Sequence, residues 1–199
     1  MSNKSTQTGE VMNKTYITSD LHFSHRNIIN FCPVSRARYK NDIDYMNATM
    51  LVEWNNIVDP EDIVYILGDV AFCNAEQAVK FMRSLNGHKI LIEGNHDRKL
   101  LKDKNFRDCF EEIHVYHEIS VNGVTACLFH YPIAEWNGCH RGNVHFHGHL
   151  HGLPSGIEQY RALDAGMDAT GEIVVELNEM IRRALKKPAK GHGNSKESM

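Results

Sequence analysis

The chain has 199 residues, 42% of them hydrophobic and 24% charged, with a formal net charge of −3. That length suits one domain with a substantial core, and the charge gives no electrostatic case for a protein that coats nucleic acid or a membrane surface. No apolar run is long enough to span a bilayer, Met1 to Lys14 lacks the apolar core of a signal peptide, and five scattered cysteines fit reduced thiols in a cytoplasmic protein.

Residues 1–13 are rich in Ser, Thr, Asn and Lys and are expected to be disordered. Thr15-Tyr16-Ile17-Thr18 reads as a strand, followed by Asp20-Leu21-His22. On extended backbone Asp20 and His22 would project to one side and reach one ion. Alone, the pair reads as well as a capping Asp and a surface His. Phe23 to Cys32 reads as a short helix with Ile28, Ile29 and Phe31 as its apolar face, ended by Pro33. His25 and Arg26 open it, either aimed at an anion beside the first loop or solvated. Residues 34–42 read as a polar loop. From Asp44 onward Met46, Met50, Leu51, Trp54, Ile57 and Val58 recur at helical spacing, a stripe for core packing.

Ile63 to Leu67 is an apolar, β-branched run, the mark of a strand covered on both faces, and Gly68-Asp69 ends it. Asn74 to Asn86 reads as a helix that Asn74 caps, with Gln77 three residues on and Ala78, Met82 and Leu85 on its buried face. The strand Lys89 to Ile92 then delivers Gly94-Asn95-His96-Asp97-Arg98, which sets an amide, an imidazole, a carboxylate and a guanidinium in a row. The pattern to this point is β-α-α-β-α-β, which argues for an α/β core.

A polar helix or loop runs on to Asp108. Ile113 to Val121 and Val124 to Phe129 read as two extended runs joined by an Asn122-Gly123 hairpin turn. His130 follows, held extended by Pro132. The loop holding Trp136, Asn137, Gly138, His140 and Arg141 either contacts a phosphate or base through Asn137 and Arg141, or is simply a long turn. Val144 to His147 reads as a strand with His145 and His147 on one face, both better suited to structural or outer roles. Gly148-His149-Leu150-His151-Gly152 comes next. Closing strands lie within 160–177, a helix spans Asn178 to Leu185, and the tail 186–199 is expected to be disordered.

Five loops carrying Asp, Asn and His thus follow runs of strand character. Asp20, His22, Asp69, Asn95, His130, His149 and His151 offer the mixed oxygen and nitrogen donors that two divalent ions need. Two such ions clamp a phosphate and acidify a water for attack. His96 is placed to protonate the leaving group, with Asp97 to orient its other nitrogen and Arg98 as a nearby cation for substrate.

Asp20-x-His22, Gly68-Asp69, Gly94-Asn95-His96-Asp97, His130 and Gly148-His149-x-His151 resemble, in order, the motifs of the calcineurin-like metallophosphoesterase superfamily. Residues 15–177 carry the resemblance, and Ser19 to His25 with Tyr131 to Gly138 are similar to its small, cap-less bacterial and phage members. The resemblance implies one domain over 14–185, an αββα sandwich of two mixed β-sheets flanked by helices. It places Asp20, His22, Asp69 and His151 on a first metal, Asp69 as the bridge, Asn95, His130 and His149 on a second, and His96 as the acid. The metals would be Mn2+ first, or Fe, Zn, Ni or Co. The substrate would be a small phosphate ester, a nucleotide or a nucleic-acid end, diesters ahead of monoesters, with a non-catalytic scaffold as the remaining reading. The stretch between Asp20 and Asp69 is longer than in the smallest members, so the mouth of the site is expected to differ.

Overall fold

The structure, a computed structural model, describes residues 13–191. The expected disorder over 1–12 and 192–199 concerns residues outside that range. Among the described residues, one sheet holds β1 (Thr15–Thr18), β2 (Ile63–Ile66), β3 (His88–Ile92), β4 (Glu112–His114) and β9 (Val175–Glu176), in the order β4-β3-β2-β1-β9. The first four are parallel and β9 is antiparallel to β1. The second sheet holds β5 (Tyr116–Val121), β6 (Val124–Phe129), β7 (Val144–His147) and β8 (Ala162–Asp164), in chain order, with β5 antiparallel to β6 and the rest parallel. The helices are α1 (Ile28–Phe31), α2 (Ile43–Ile57), α3 (Ala75–Ser84), α4 (Lys104–Arg107), α5 (Met167–Thr170) and α6 (Leu177–Leu185). This is the expected sandwich of two mixed sheets flanked by helices. No helix among the described residues is long and apolar enough to cross a membrane.

Alternation along the strands divides the core. Ile17 and Ile92 from the first sheet, with Leu67 just after β2, meet Ala126, Leu128, Val144 and Phe146 from the second, and α6 adds Leu177, Met180 and Ile181. Val64, Ile66 and Leu91 face the other way, onto Met46, Met50 and Trp54 of α2, Ala78 and Met82 of α3, and Phe106 of α4. Each such side chain stabilises the fold by about 1.5–3 kcal/mol when fully buried. The outer side of the second sheet is covered by a smaller cluster, with Cys127, Trp136, Cys139, Ile157 and Ala162.

Several expectations are corrected. The helix expected over Phe23 to Cys32 does not begin at Phe23, because the backbone from Asp20 to Phe23 hydrogen-bonds to the loop after β2: Asp20 N–H donates to Gly68 O, His22 N–H to Asp69 O and Phe23 N–H to Val70 O, each at 3.0 Å. α1 is therefore one turn long, and Phe31 is exposed, not buried. The expected loop 34–42 contains a 3-10 turn, Ala37–Tyr39, with Arg36 and Tyr39 fully buried. The run Ile113 to Val121 is two strands in different sheets, broken at the exposed Val115. At the C-terminal end, Lys187 Nζ donates to Glu158 O at 2.6 Å and Lys190 Nζ to Ala134 O at 2.6 Å, so residues 186–191 lie against the body.

Candidate metal centre

The C-terminal ends of β1, β2, β3, β6 and β7 lead into the loops that carry the Asp, Asn and His side chains. Two sheets thus deliver groups to one edge. Asp20, His22, Asp69, His149 and His151 all have positive φ, between 51° and 73°. This corrects the extended geometry expected for Asp20 and His22. Left-handed backbone at side chains other than glycine costs about 1–3 kcal/mol each and persists only where surrounding contacts over-determine it. Those contacts are visible. A Cβ on Gly148 would lie 1.9 Å from Ser19 Oγ and 2.4 Å from Asp20 Oδ2, and one on Gly94 would lie 2.3 Å from Asp69 Oδ1. These glycines let the loops close onto one another.

The side chains form two groups. Asp20, His22 and His151 bring ligand atoms within 4.8 Å of one another, as do Asp69, His130 and His149. Asp69 Oδ2 joins them, lying 3.8 Å from His22 Nε2 and 3.6 Å from His130 Nε2. Asn95 Oδ1 is 3.0 Å from His130 Nε2. Within the first group His22 Nε2 and His151 Nε2 lie 3.8 and 3.9 Å from Asp20 Oδ1. Such spans are too long for hydrogen bonds. They are short enough for donors to share an ion at bonds of about 2.1 Å.

One oxygen of each carboxylate is already held: Asp20 Oδ2 by the His149 N–H and Asp69 Oδ1 by the His96 N–H, both at 2.9 Å. The other oxygens face the imidazoles. Asp20 Oδ1 and His22 Nε2 are buried and have no hydrogen-bond partner among the described residues. A buried polar atom without a partner costs about 1–3 kcal/mol. Two facing ones fit a shared cation. Burial opposes ionisation of Asp20, but His22, His151 and His130 outweigh it and hold its carboxyl below the usual range. Burial also lowers the His22 pKa, which keeps a lone pair available. The donor set is therefore geometrically consistent with a dinuclear divalent-metal centre.

Outer contacts fix the rings. His130 Nδ1 lies 2.7 Å from Leu67 O. His151 Nδ1 lies 2.8 Å from Asp168 Oδ2, and Asp168 is gripped by the fully buried Arg36, Nε at 2.9 Å and Nη2 at 2.8 Å. Arg36 Nη2 also donates to Asp20 O at 2.7 Å. Burial opposes ionisation of Asp168, yet His151 and Arg36 hold it well below the usual carboxylate range. Sequence reading missed Arg36, Asp168 and Ser35, whose Oγ donates to Asp168 at 2.6 Å. They lie outside the motif loops, and no local pattern joins two positions 132 residues apart.

The remaining candidates fall into place unevenly. His96 sits at the mouth, 45% exposed, with Nε2 3.8 Å from Asp69 Oδ2. Asp97 does not orient it. The Asp97 oxygens instead accept from the N–H groups of Asp69, Val70 and Gly94, at 2.8–3.0 Å, so this buried carboxylate ties the two loops together. His25 stands beside the site, its Nδ1 3.2 Å from His22 Nδ1 and its ring stacked on Phe72 at 4.0 Å. Arg26 faces a separate polar cleft with Asn30 and Asp42. Arg98 is exposed near His96 and pairs with Glu93 at 3.4 Å. Asn137 bonds to Glu118 at 2.9 Å and Arg141 to Asn137 at 3.4 Å, next to the outer cluster of the second sheet rather than to the Asp and His groups.

The uncharacterized protein MJ1445 of Methanocaldococcus jannaschii is 35% identical over 142 residues, covering 70% of either chain. The chain belongs to the family of that archaeal protein. The Gene 66 protein of Mycobacterium phage L5 is 26% identical over 193 residues, 82% of this chain and 90% of the phage protein. Among solved structures, a protein of unknown function, AQ665 from Aquifex aeolicus, superposes with a TM-score of 0.67 at 26% identity, covering 86% of this chain and all of the other. No family model matches the chain.

Family membership brings no activity with it, since these relatives are named as uncharacterized, as a gene product or as of unknown function. Function must come from the groups at the strand ends. Other donor groups lie elsewhere, Glu112 with His114 and His117, and Glu135 with Cys139 and His140. The Asp20 and Asp69 groups differ from these in being buried at their carboxylates and in lying on either side of one Asp69 oxygen, 3.8 Å from His22 and 3.6 Å from His130.

Proposed function

We propose that the chain is a dinuclear metal-dependent phosphoesterase that favours phosphodiesters. The observation that carries this reading is the pair of three-residue donor groups joined at Asp69, with Asp20 Oδ1 and His22 Nε2 buried and unpartnered. Asp20, His22 and His151 would hold one ion, Asn95, His130 and His149 the other, and Asp69 both. Such ions, when bound, would supply the positive charge that draws in a phosphate and lowers the pKa of a water. Mn2+ suits these carboxylate, amide and imidazole donors, and Fe, Zn, Ni or Co also fit.

The chain's own groups do the rest. The backbone N–H groups of His149 and His96 hold the carboxylates in one orientation, and Leu67 O and Asp168 hold the His130 and His151 rings. His96, exposed at the mouth, delivers a proton to the leaving oxygen. That proton matters most for an alkoxide, the leaving group of a natural diester. The exposed Arg98 and Lys99 beside His96 suit an anionic substrate such as a nucleotide or a nucleic-acid end. The cysteines are unpaired, which fits a cytoplasmic protein.

The test is steady-state kinetics on bis(p-nitrophenyl) phosphate and p-nitrophenyl phosphate with Mn2+-reconstituted protein. Preference for the diester is expected. Preference for the monoester would move the reading to a phosphatase. No turnover of either, in protein shown to hold two metals, would leave only the scaffold.

A further inference from the structure

Among the clefts beside the donor groups, two have linings that do not overlap. One, of about 590 Å³, includes Asn95, His96, Arg98, Lys99 and Phe72. The other, of about 610 Å³, includes His149 and His151 together with Phe31, Val34, Leu150 and Leu153. A diester bound between them has one arm in each. If His96 protonates the leaving oxygen, the leaving arm lies in the first cleft. The arm that stays on phosphorus then lies in the second.

The second cleft has an apolar rim. Phe31, Val34 and Leu153 are 69%, 91% and 69% exposed, the three most exposed large hydrophobic side chains among the described residues. Apolar surface gathered at the edge of a polar site marks a place for a ligand. A row of rings also runs along the mouth. Phe31 lies 6.0 Å from His25, His25 4.0 Å from Phe72 and Phe72 4.5 Å from His96, centroid to centroid. Phe31 ends that row with most of its ring open to a partner. A flat π-system covers such a ring better than a branched or flexible chain does.

We infer that the cleft beside His149 and His151 binds a planar aromatic arm, a nucleobase, on the part of the diester that keeps the phosphate. The inference rests on the phosphoesterase reading above. Water adds to phosphorus, the P–O bond to the leaving arm breaks, and the leaving oxygen takes up the proton. The retained product is a nucleoside monophosphate.

The test compares two diesters with the same leaving group, thymidine 5′-(p-nitrophenyl) phosphate and methyl p-nitrophenyl phosphate, on the full chain loaded with Mn2+. The thymidine ester should have a kcat/KM about tenfold higher or more, through KM. Phe31→Ala should remove most of that advantage and leave the methyl ester within about twofold. Phe31→Tyr should keep the advantage, and Phe31→Leu should lose most of it. An advantage unchanged in Phe31→Ala overturns the assignment of the cleft, and one kept in Phe31→Leu overturns its planar preference. Both outcomes leave methyl ester turnover intact. Absence of turnover with both esters would instead bring down the phosphoesterase reading and this inference with it.

Discussion

Asp69 links the two donor groups through a single oxygen, 3.8 Å from His22 and 3.6 Å from His130, while its other oxygen is held by the His96 N–H. Asp69→Asn keeps the size and removes the charge. It should lose bound metal and turnover together, as read by metal analysis and kinetics on one preparation. His96→Ala should keep both metals and lose about a hundredfold or more on alkyl esters, with a much smaller loss on p-nitrophenyl esters. Equal losses on the two would remove His96 from the acid role. Asp168 acts at one remove. Asp168→Asn weakens the grip on His151 and leaves the buried Arg36 without its carboxylate, so metal affinity should fall about ten- to a hundredfold. Stability should drop by about 3 kcal/mol in urea unfolding. Unchanged affinity would reduce Asp168 to a packing role. The motif residues were legible because each sits in a short local pattern. Arg36 and Asp168 were not, since their partnership exists only after α5 and the 3-10 turn are brought together.

The loops at the strand ends are the elements that make the site, and glycine sets how closely they approach. Gly148→Ala forces a Cβ against Ser19 Oγ and Asp20 Oδ2 and should cost about 2 kcal/mol or more along with metal binding. Gly156→Ala is the control. Its φ is +79° but nothing lies within 4 Å of the added Cβ, so about 1–2 kcal/mol of backbone strain and unchanged metal binding are expected. Similar metal loss in both would mean that strain, not crowding, is at work. Strand and helix periodicity placed β1, β2, β3, β6, β7, α2, α3 and α6 closely, and the Asn122-Gly123 turn, with φ of 51° and 81°, formed as expected. Periodicity was blind where long-range bonds take over. Phe23 pairs with the loop after β2 rather than opening the expected helix, and the break at Val115 is a change of sheet within a run that is uniformly extended in character.

At the scale of the whole molecule, the second sheet carries a buried titratable group away from the Asp and His groups. Burial pushes the pKa of His145 down to about 4, against an ordinary value of 6.5. Its Nδ1 lies 3.0 Å from Cys127 O and its Nε2 accepts from the Ile133 N–H at 3.4 Å, an arrangement that the neutral ring satisfies and the charged ring cannot. The unfolded chain therefore binds the proton first as pH falls. From this group alone, stability should be level above about pH 6.5 and decline between 6.5 and 4, by on the order of 3 kcal/mol. Urea midpoints at pH 7 and pH 5 check this, and His145→Gln should flatten the difference. A midpoint that rises toward pH 5 would contradict it.

The two sheets meet at one edge, where their loops bring together the donor groups proposed to hold two ions. The measurement that tests that proposal most directly is a titration of metal-free protein with Mn2+, following bound metal and bis(p-nitrophenyl) phosphate turnover in the same samples. Two equivalents should bind per chain, with turnover rising as the second site fills. Full turnover with one equivalent, or two equivalents bound with no turnover of any phosphate ester, would contradict it.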